Sequence, residues 1–204
     1  MIQSRSISCG CVIERAMMKQ LRMRRESAPV KSRELPQGYF YEAYSGKREQ
    51  IDDWLELCFE ALIPTKEEKW FTDTILQYPD LCPERDLFFV IEQSTGRRVA
   101  TTAAVCHGKE GYIHMVAAAP DVRGKGIGHA MLRYALQMLE ARGCTYSVLT
   151  TDDFRLAAIK TYLDAGFVPV IEQDPESDVR MRWEKVLAEL HYARDIQFKE
   201  NGHG

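Results

Sequence analysis

The stretch that decides the fold is Val116-Ala117-Ala118-Ala119-Pro120-Asp121-Val122-Arg123-Gly124-Lys125-Gly126-Ile127-Gly128-His129. It reads as the end of a strand, a proline stop, a glycine turn flanked by two cations, and the start of a helix. Glycines let backbone N–H groups approach a ligand closely. The unpaired N–H groups of the following helix point the same way, and its dipole adds partial positive charge. With the formal charges of Arg123 and Lys125, the segment makes a site for a diphosphate. Spacing sets two familiar phosphate loops aside. No Lys-Ser or Lys-Thr follows the glycines, as a P-loop requires, and GxGxG stands where a dinucleotide fingerprint needs GxGxxG.

Upstream, Tyr112 to Ala118 is the last strand of an antiparallel meander. Leu87 to Glu92, a turn at Ser94 to Arg97, and Val99 to Cys106 precede it. Earlier still, Gly38 to Ser45 reads as a strand. Ile51, Trp54, Leu55, Cys58 and Leu62 recur at helical spacing until Pro64. Thr65 to Glu68 reads as a capping box opening a second helix, which carries Trp70, Phe71, Thr74 and Ile75 to about Tyr78.

Downstream, the helix runs to about Arg142, with Ala130, Met131, Tyr134, Ala135, Met138 and Leu139 on its apolar face and Gly143 past its end. Tyr146 to Thr151 is a strand, and Asp152 and Asp153 are candidate caps for a helix carrying Ala158, Ile159, Tyr162 and Leu163. Phe167 to Ile171 is a strand, Val179 to Trp183 reads as a strand paired with it, and a last helix holds Val186, Leu187, Leu190 and Ala193. Strand–helix–strand passages require parallel pairing, whereas the meander is antiparallel. The expected fold class is therefore α/β (α+β): a mixed antiparallel and parallel twisted sheet with helices on both faces.

With 204 residues, 45% apolar and 28% charged, the chain has the composition of one globular domain with or without an extension. No apolar run approaches the roughly 18 residues of a membrane span. The net charge of −3 is uneven: Met1 to Arg33 holds eight Lys or Arg and two Glu, a balance of +6 that leaves −9 on the rest. A body at −9 is a poor nucleic-acid partner. Residues 1–36 show no clear period and contain Met1, Met17, Met18 and Met23. They read as a basic N-terminal extension, expected to be poorly ordered and in part to precede the true translation start; a single domain then covers 37–200. The six cysteines, Cys9, Cys11, Cys58, Cys82, Cys106 and Cys144, contain no CxxC pair. Reduced thiols in a cytoplasmic protein fit better than zinc or disulfides, and no metal is expected.

At this point the sequence resembles the GCN5-related N-acetyltransferase (GNAT) superfamily. Arg123, Gly126 and Gly128 match that family's loop, Arg or Gln, x, x, Gly, x, Gly or Ala, between strand and helix. Val116 to Ala118 stand where the family has its central strand. Ala158-Ile159-Lys160-Thr161-Tyr162 and Gly166-Phe167 match a second element, in family order and at family separation. The resemblance covers about Gly38 to Trp183 and implies a GNAT-like acyl-CoA N-acyltransferase fold with acetyl-CoA as co-substrate.

The resemblance also implies roles. The amides of Arg123, Gly124, Lys125, Gly126, Ile127, Gly128 and His129 would hold the pyrophosphate. Val116, Ala117 and Ala118 would pair with the pantetheine arm, and the Val116 N–H is the candidate to polarise the thioester carbonyl. Tyr162 sits where members place a tyrosine that protonates the leaving thiolate. Its ordinary pKa near 10 suits that base. Members often carry a Glu on the central strand as base, whereas Tyr112 to Ala118 holds only His114, facing by alternation the same side as Tyr112 and Val116. Asp152 and Asp153 are alternatives for the base. Members also carry a CoA-contacting Asn seven residues before the tyrosine; here that position is Arg155. Trp54, Trp70 and Phe71 are candidates for the acceptor wall or for the core.

The leading function is therefore acetyl transfer to a primary amine of a small molecule or peptide, with no nucleic-acid or membrane partner. Homodimers are common in the family. The alternatives are an acetyl-CoA-binding or sensing module without turnover, and a different phosphate-binding protein whose glycine segment holds a nucleotide.

Overall fold

The computed structural model describes residues 19–29, 33–171, 174, 176–192 and 198–200. In chain order the elements are β1 (Leu21–Glu26), β2 (Tyr39–Ala43), α1 (Arg48–Cys58), α2 (Glu68–Phe71) running into a π-helical turn (Thr72–Leu76), α3 (Pro83–Asp86), β3 (Leu87–Glu92), β4 (Arg98–His107), β5 (Glu110–Ala118), α4 (Ile127–Ala141), β6 (Tyr146–Thr151), α5 (Leu156–Asp164), β7 (Val168–Ile171), α6 (Val179–Glu189) and β8 (Lys199–Glu200). They form one eight-stranded sheet in the order β2-β3-β4-β5-β6-β1-β7-β8. The β2-to-β5 meander is antiparallel, and β5 pairs with β6 in parallel. The mixed sheet expected from the sequence is what the structure shows.

Alternation along the strands builds two cores. Phe88 and Val90 of β3 join α4, α5 and α6 on one face, whereas Leu87, Phe89 and Ile91 join α1 and α2 on the other. Trp54 and Phe71 are fully buried in that second core, so they are packing residues; Trp70 is only partly buried beside them. On the first face α4 lies close to the sheet. A Cβ on Gly111 would sit 2.6 Å from the buried Leu139 side chain, which would have to shift to admit it.

Leu21–Glu26 is a strand inside the stretch read as an extension, antiparallel to both β6 and β7. Leu21 and Met23 are fully buried, and the arginines between and after them are satisfied locally. Arg22 pairs with Glu110 at 3.1 Å. The Arg25 guanidinium donates to the carbonyls of Ala165 and Ala28 at 3.0 and 2.7 Å and pairs with Glu140. A domain boundary at residue 36 therefore does not hold for these residues. Their apolar alternation is present in the sequence but interleaved with charge. Met1, Cys9, Cys11, Met17 and Met18 lie outside the described residues.

Because β1 lies between them, β6 and β7 run parallel without being neighbours. Val179 to Trp183 is helical, not a strand. Val179, Trp183 and Val186 share a buried helical stripe, and β1 already holds the long edge of β7. The capping box at Thr65 is not formed either. The helix starts two residues later, at Glu68, with Glu67 as its N-cap. The Thr65 hydroxyl instead donates to the Glu67 carboxylate and accepts from the Trp70 indole at 3.0 Å.

Candidate active site

The site begins where the pairing of β5 with β6 stops. Glu110, Gly111 and Tyr112 pair with Tyr146, Ser147 and Val148, and no ladder continues beyond that point. From Ile113 to Ala118, β5 keeps its β4 partner only. Six residues at about 3.3 Å each give roughly 20 Å of strand edge with unused backbone donors and acceptors. The separation coincides with a bulge. Register with β4 slips between Thr101 and Ala103, and Met115 takes a left-handed φ of 55°. The Thr102 hydroxyl donates to the His114 carbonyl at 3.1 Å and holds the bulge.

The bulge corrects one expectation. One extra residue shifts the alternation by one. His114 and Tyr112 do share the α1–α2 face, but Met115 follows them there, while Val116 and Ala118 pack against the other core.

At the end of this free edge, Pro120–Val122 forms a short 3₁₀ turn and Arg123 to Gly126 leads into α4. Gly124 and Gly126 have φ of 78° and 83°, which explains the glycines. A Cβ at Gly124 or Gly128 would meet nothing within 4 Å, so the loop is open at those two positions, whereas the Arg33 guanidinium lies against Gly126 between them. Lys125 donates to the Tyr39 hydroxyl at 3.3 Å, and His129 lies 3.5 Å from the Asp164 carboxylate on α5. A surface cleft of about 570 Å³ opens beside the loop, lined by Ala118, Ala119 and Arg123 on one side and by Leu57, Phe59 and Ala61 at the end of α1 on the other.

Tyr162 projects from α5 and is almost fully buried, its ring edge-on to Phe167. Burial pushes its pKa up to about 12; Arg155 opposes the shift and Tyr112 adds to it. The Tyr112 hydroxyl lies 3.1 Å from that of Thr150 on β6. Thr151, the last residue of β6, has a buried hydroxyl without a hydrogen-bond partner among the described residues.

His114 is held on the opposite face. Its Nε2 lies 2.9 Å from the Thr74 carbonyl. A carbonyl only accepts, so Nε2 carries the proton and Nδ1 keeps its lone pair. The Tyr78 ring packs at 4.2 Å. Burial lowers the His114 pKa below the usual histidine range, against the Thr74 bond that raises it.

Asp152 and Asp153 are engaged in ion pairs. Asp152 pairs with Arg155 at 2.7 Å and accepts from Gln20. Asp153 accepts from Nε and Nη2 along one edge of the buried Arg182 guanidinium, which holds its carboxyl below the usual range, while Nη1 donates to the Lys19 carbonyl. Neither side chain caps α5, whose N-cap is Arg155. The Arg155 guanidinium also donates to the Ala61 carbonyl, spanning from α5 to the loop after α1.

The structure brings the glycine loop to the end of the free half of β5, with Tyr162 in the core on one face of the sheet and His114, on β5 itself, held against Thr74 and Tyr78 on the other. Sequence reasoning missed the bulge at Met115, the buried Thr151 hydroxyl and the Thr74 carbonyl. None of these carries a residue-type signal. The first is a register event and the other two are set by burial.

The free strand edge and the glycine loop at its end define a GNAT acetyltransferase domain. The sequence profile of the Acetyltransferase (GNAT) family matches residues 48–167, and the chain belongs to that family. Over 155 residues it is 28% identical to a mycothiol acetyltransferase of Thermobispora bispora, covering 72% of this chain and 52% of that protein. Among solved structures it resembles a GCN5-related N-acetyltransferase of Sphaerobacter thermophilus, with a TM-score of 0.59 at 22% identity over 82% of this chain and 55% of that one. It also resembles the NatC complex bound to Gag peptide and CoA, with a TM-score of 0.54 at 20% identity over 64% of this chain and 84% of that one. The chain spans about half the length of the curated relative and of the Sphaerobacter protein. Among the described residues no helix is long and apolar enough to cross a membrane.

Proposed function

We propose that this domain transfers an acetyl group from acetyl-CoA to a primary amine of a small molecule or peptide. The observation that carries the reading is the unpaired half of β5, which ends at a glycine loop that is open at Gly124 and Gly128. An extended arm bearing amides can add to that edge as a strand would, and the loop amides then meet its diphosphate.

In this reading Val116 offers its N–H to the thioester oxygen as negative charge develops there. One such donor is worth about 10²–10³ in rate. The neutral amine forms the new C–N bond as the C–S bond breaks. Tyr162, protonated at neutral pH as an ordinary tyrosine is and held more firmly so by burial, gives its proton to the departing sulfur. His114, neutral because its pKa is lowered, accepts the amine proton at Nδ1, directly or through water. Arg155 is already engaged with Asp152 and Ala61, so its part at the cofactor is to position the mouth of the site.

The second reading is a CoA-binding module with little turnover. It is favoured by the lack of a carboxylate from Tyr112 to Ala118.

Thermal unfolding with acetyl-CoA, against adenosine diphosphate as control, tests the site. A ligand at about 100 times its Kd stabilises by about 2.7 kcal/mol. At roughly 2–4 °C per kcal/mol this raises Tm by roughly 5–10 °C. No shift at millimolar acetyl-CoA removes both readings. A shift without thiol release across an amine panel leaves the binding module.

A further inference from the structure

In the basic head of the chain, the described residue Arg33 is a cation that neither the sheet nor the proposed chemistry uses. β1 lies between β6 and β7, and β2 is the far edge strand, so the connection between them must cross the molecule. It is tied near both ends. The Arg25 guanidinium holds the Ala28 carbonyl at 2.7 Å, and Leu35 and Tyr39 pack against the larger core. Between these anchors the Arg33 guanidinium lies over Gly126. From the position a Gly126 Cβ would take, Nη2 is 3.0 Å away, Cζ 3.7 Å and Nε 3.9 Å.

Arg33 thus joins Arg123 and Lys125 around the same three-residue turn. Lys125 is turned toward the Tyr39 hydroxyl. Among the described residues neither Arg33 nor Arg123 has a carboxylate partner, and the nearby Asp121 is taken by Arg97. The Arg123 and Lys125 amides are used inside the turn, donating to the Pro120 and Val122 carbonyls, but like charges gathered at the start of a helix still call for an anion between them.

We propose that Arg33 is a ligand for the diphosphate of acyl-CoA, reaching the glycine loop from the segment before β2 and donating to a phosphate oxygen above Gly126. A guanidinium suits this task because its fixed fork meets phosphate oxygens pairwise. The proposal rests on reading the loop as an acyl-CoA diphosphate cradle. It goes beyond that reading by adding a side chain from outside the 48–167 match.

The test is calorimetric binding of acetyl-CoA and of its 3′-dephospho analogue to the wild type, Arg33→Ala, Arg33→Lys and Arg24→Ala. Arg24 is a control cation, stacked on Tyr146 and paired with Glu26. Loss of a hydrogen bond to a charged group is expected to weaken Arg33→Ala by about 10- to 100-fold. The loss should be equal for both ligands, since both carry the diphosphate. KM for acetyl-CoA should rise while kcat, the amine KM and the ligand-free Tm stay unchanged, and Arg33→Lys should recover part of the loss. Arg33→Ala behaving like Arg24→Ala overturns the proposal. So does a loss confined to acetyl-CoA itself, which would place Arg33 at the 3′-phosphate. If the wild type binds neither ligand, the cradle reading falls as well, and that result is distinct from the other two.

Discussion

From Glu110 to Tyr112, β5 is paired on both sides; from Ile113 to Ala118 the same strand has β4 on one side and no strand on the other. The closed half is secured by packing. Gly111 lets α4 approach, and β6 is itself pinned by β1 across six residue pairs. The open half carries a defect, the bulge at Met115, which follows the last β6 pair at Tyr112 and turns His114 and Val116 to opposite faces. In the proposed function, a site for an extended ligand is thus made by withholding half of a ladder. The cost of the unmet backbone groups is borne by the rigidity of the half that is complete.

The sharpest way to break the open half is Tyr162→Phe. It removes one hydroxyl from a buried ring and leaves the packing. We expect kcat to fall about 10²–10⁴-fold with acetyl-CoA affinity little changed. A wild-type kcat in this variant would remove Tyr162 from the chemistry. The closed half is broken by Met23→Ala. A fully buried methionine lost from the strand that pins β6 should cost about 2–5 kcal/mol, seen as a Tm lower by roughly 10 °C. A shift within a degree would mean that β1 contributes little to holding the sheet.

A smaller effect separates the two faces by pH. The folded state disfavours protonated His114, so the unfolded chain binds the proton more readily. Stability on this account is complete above the ordinary histidine pKa near 6.5 and declines as pH falls below it. His114→Gln should flatten the decline in Tm between about pH 7 and 5, and should remove the acid limb of kcat/KM. Parallel pH profiles in the two proteins would exclude His114 as the group that titrates.

Much of the site could be read from residue types. The glycine loop, its strand and its helix need positive φ, open space and cations, and these requirements select glycine, arginine and lysine. Leu87–Glu92 and Tyr146–Thr151 fall where their β-branched and aromatic runs place them, to the residue. The base was less legible. His114 was visible as the one histidine from Tyr112 to Ala118 and so as a candidate, but the face of each neighbour depended on a bulge that local sequence does not encode. The acceptor wall was less legible still, because a tryptophan that lines a cleft and one that fills a core look alike.

The limit is clearest in two nearly identical tetrapeptides. Leu21-Arg22-Met23-Arg24 is a strand with Met23 fully buried; Val179-Arg180-Met181-Arg182 opens a helix with Met181 66% exposed. Both carry an apolar alternation of period two, so the sequence alone determined only that each could present one apolar face. Context decided the rest. The first found two open strand edges, β6 and β7, and hydrogen-bonded to both. The second is followed by Trp183 and Val186, which complete a helical stripe, and its Arg182 reaches Asp153 at the end of β6. Backbone pairing is non-local, so which apolar segment fills a gap in a sheet is settled only when the partners are in place.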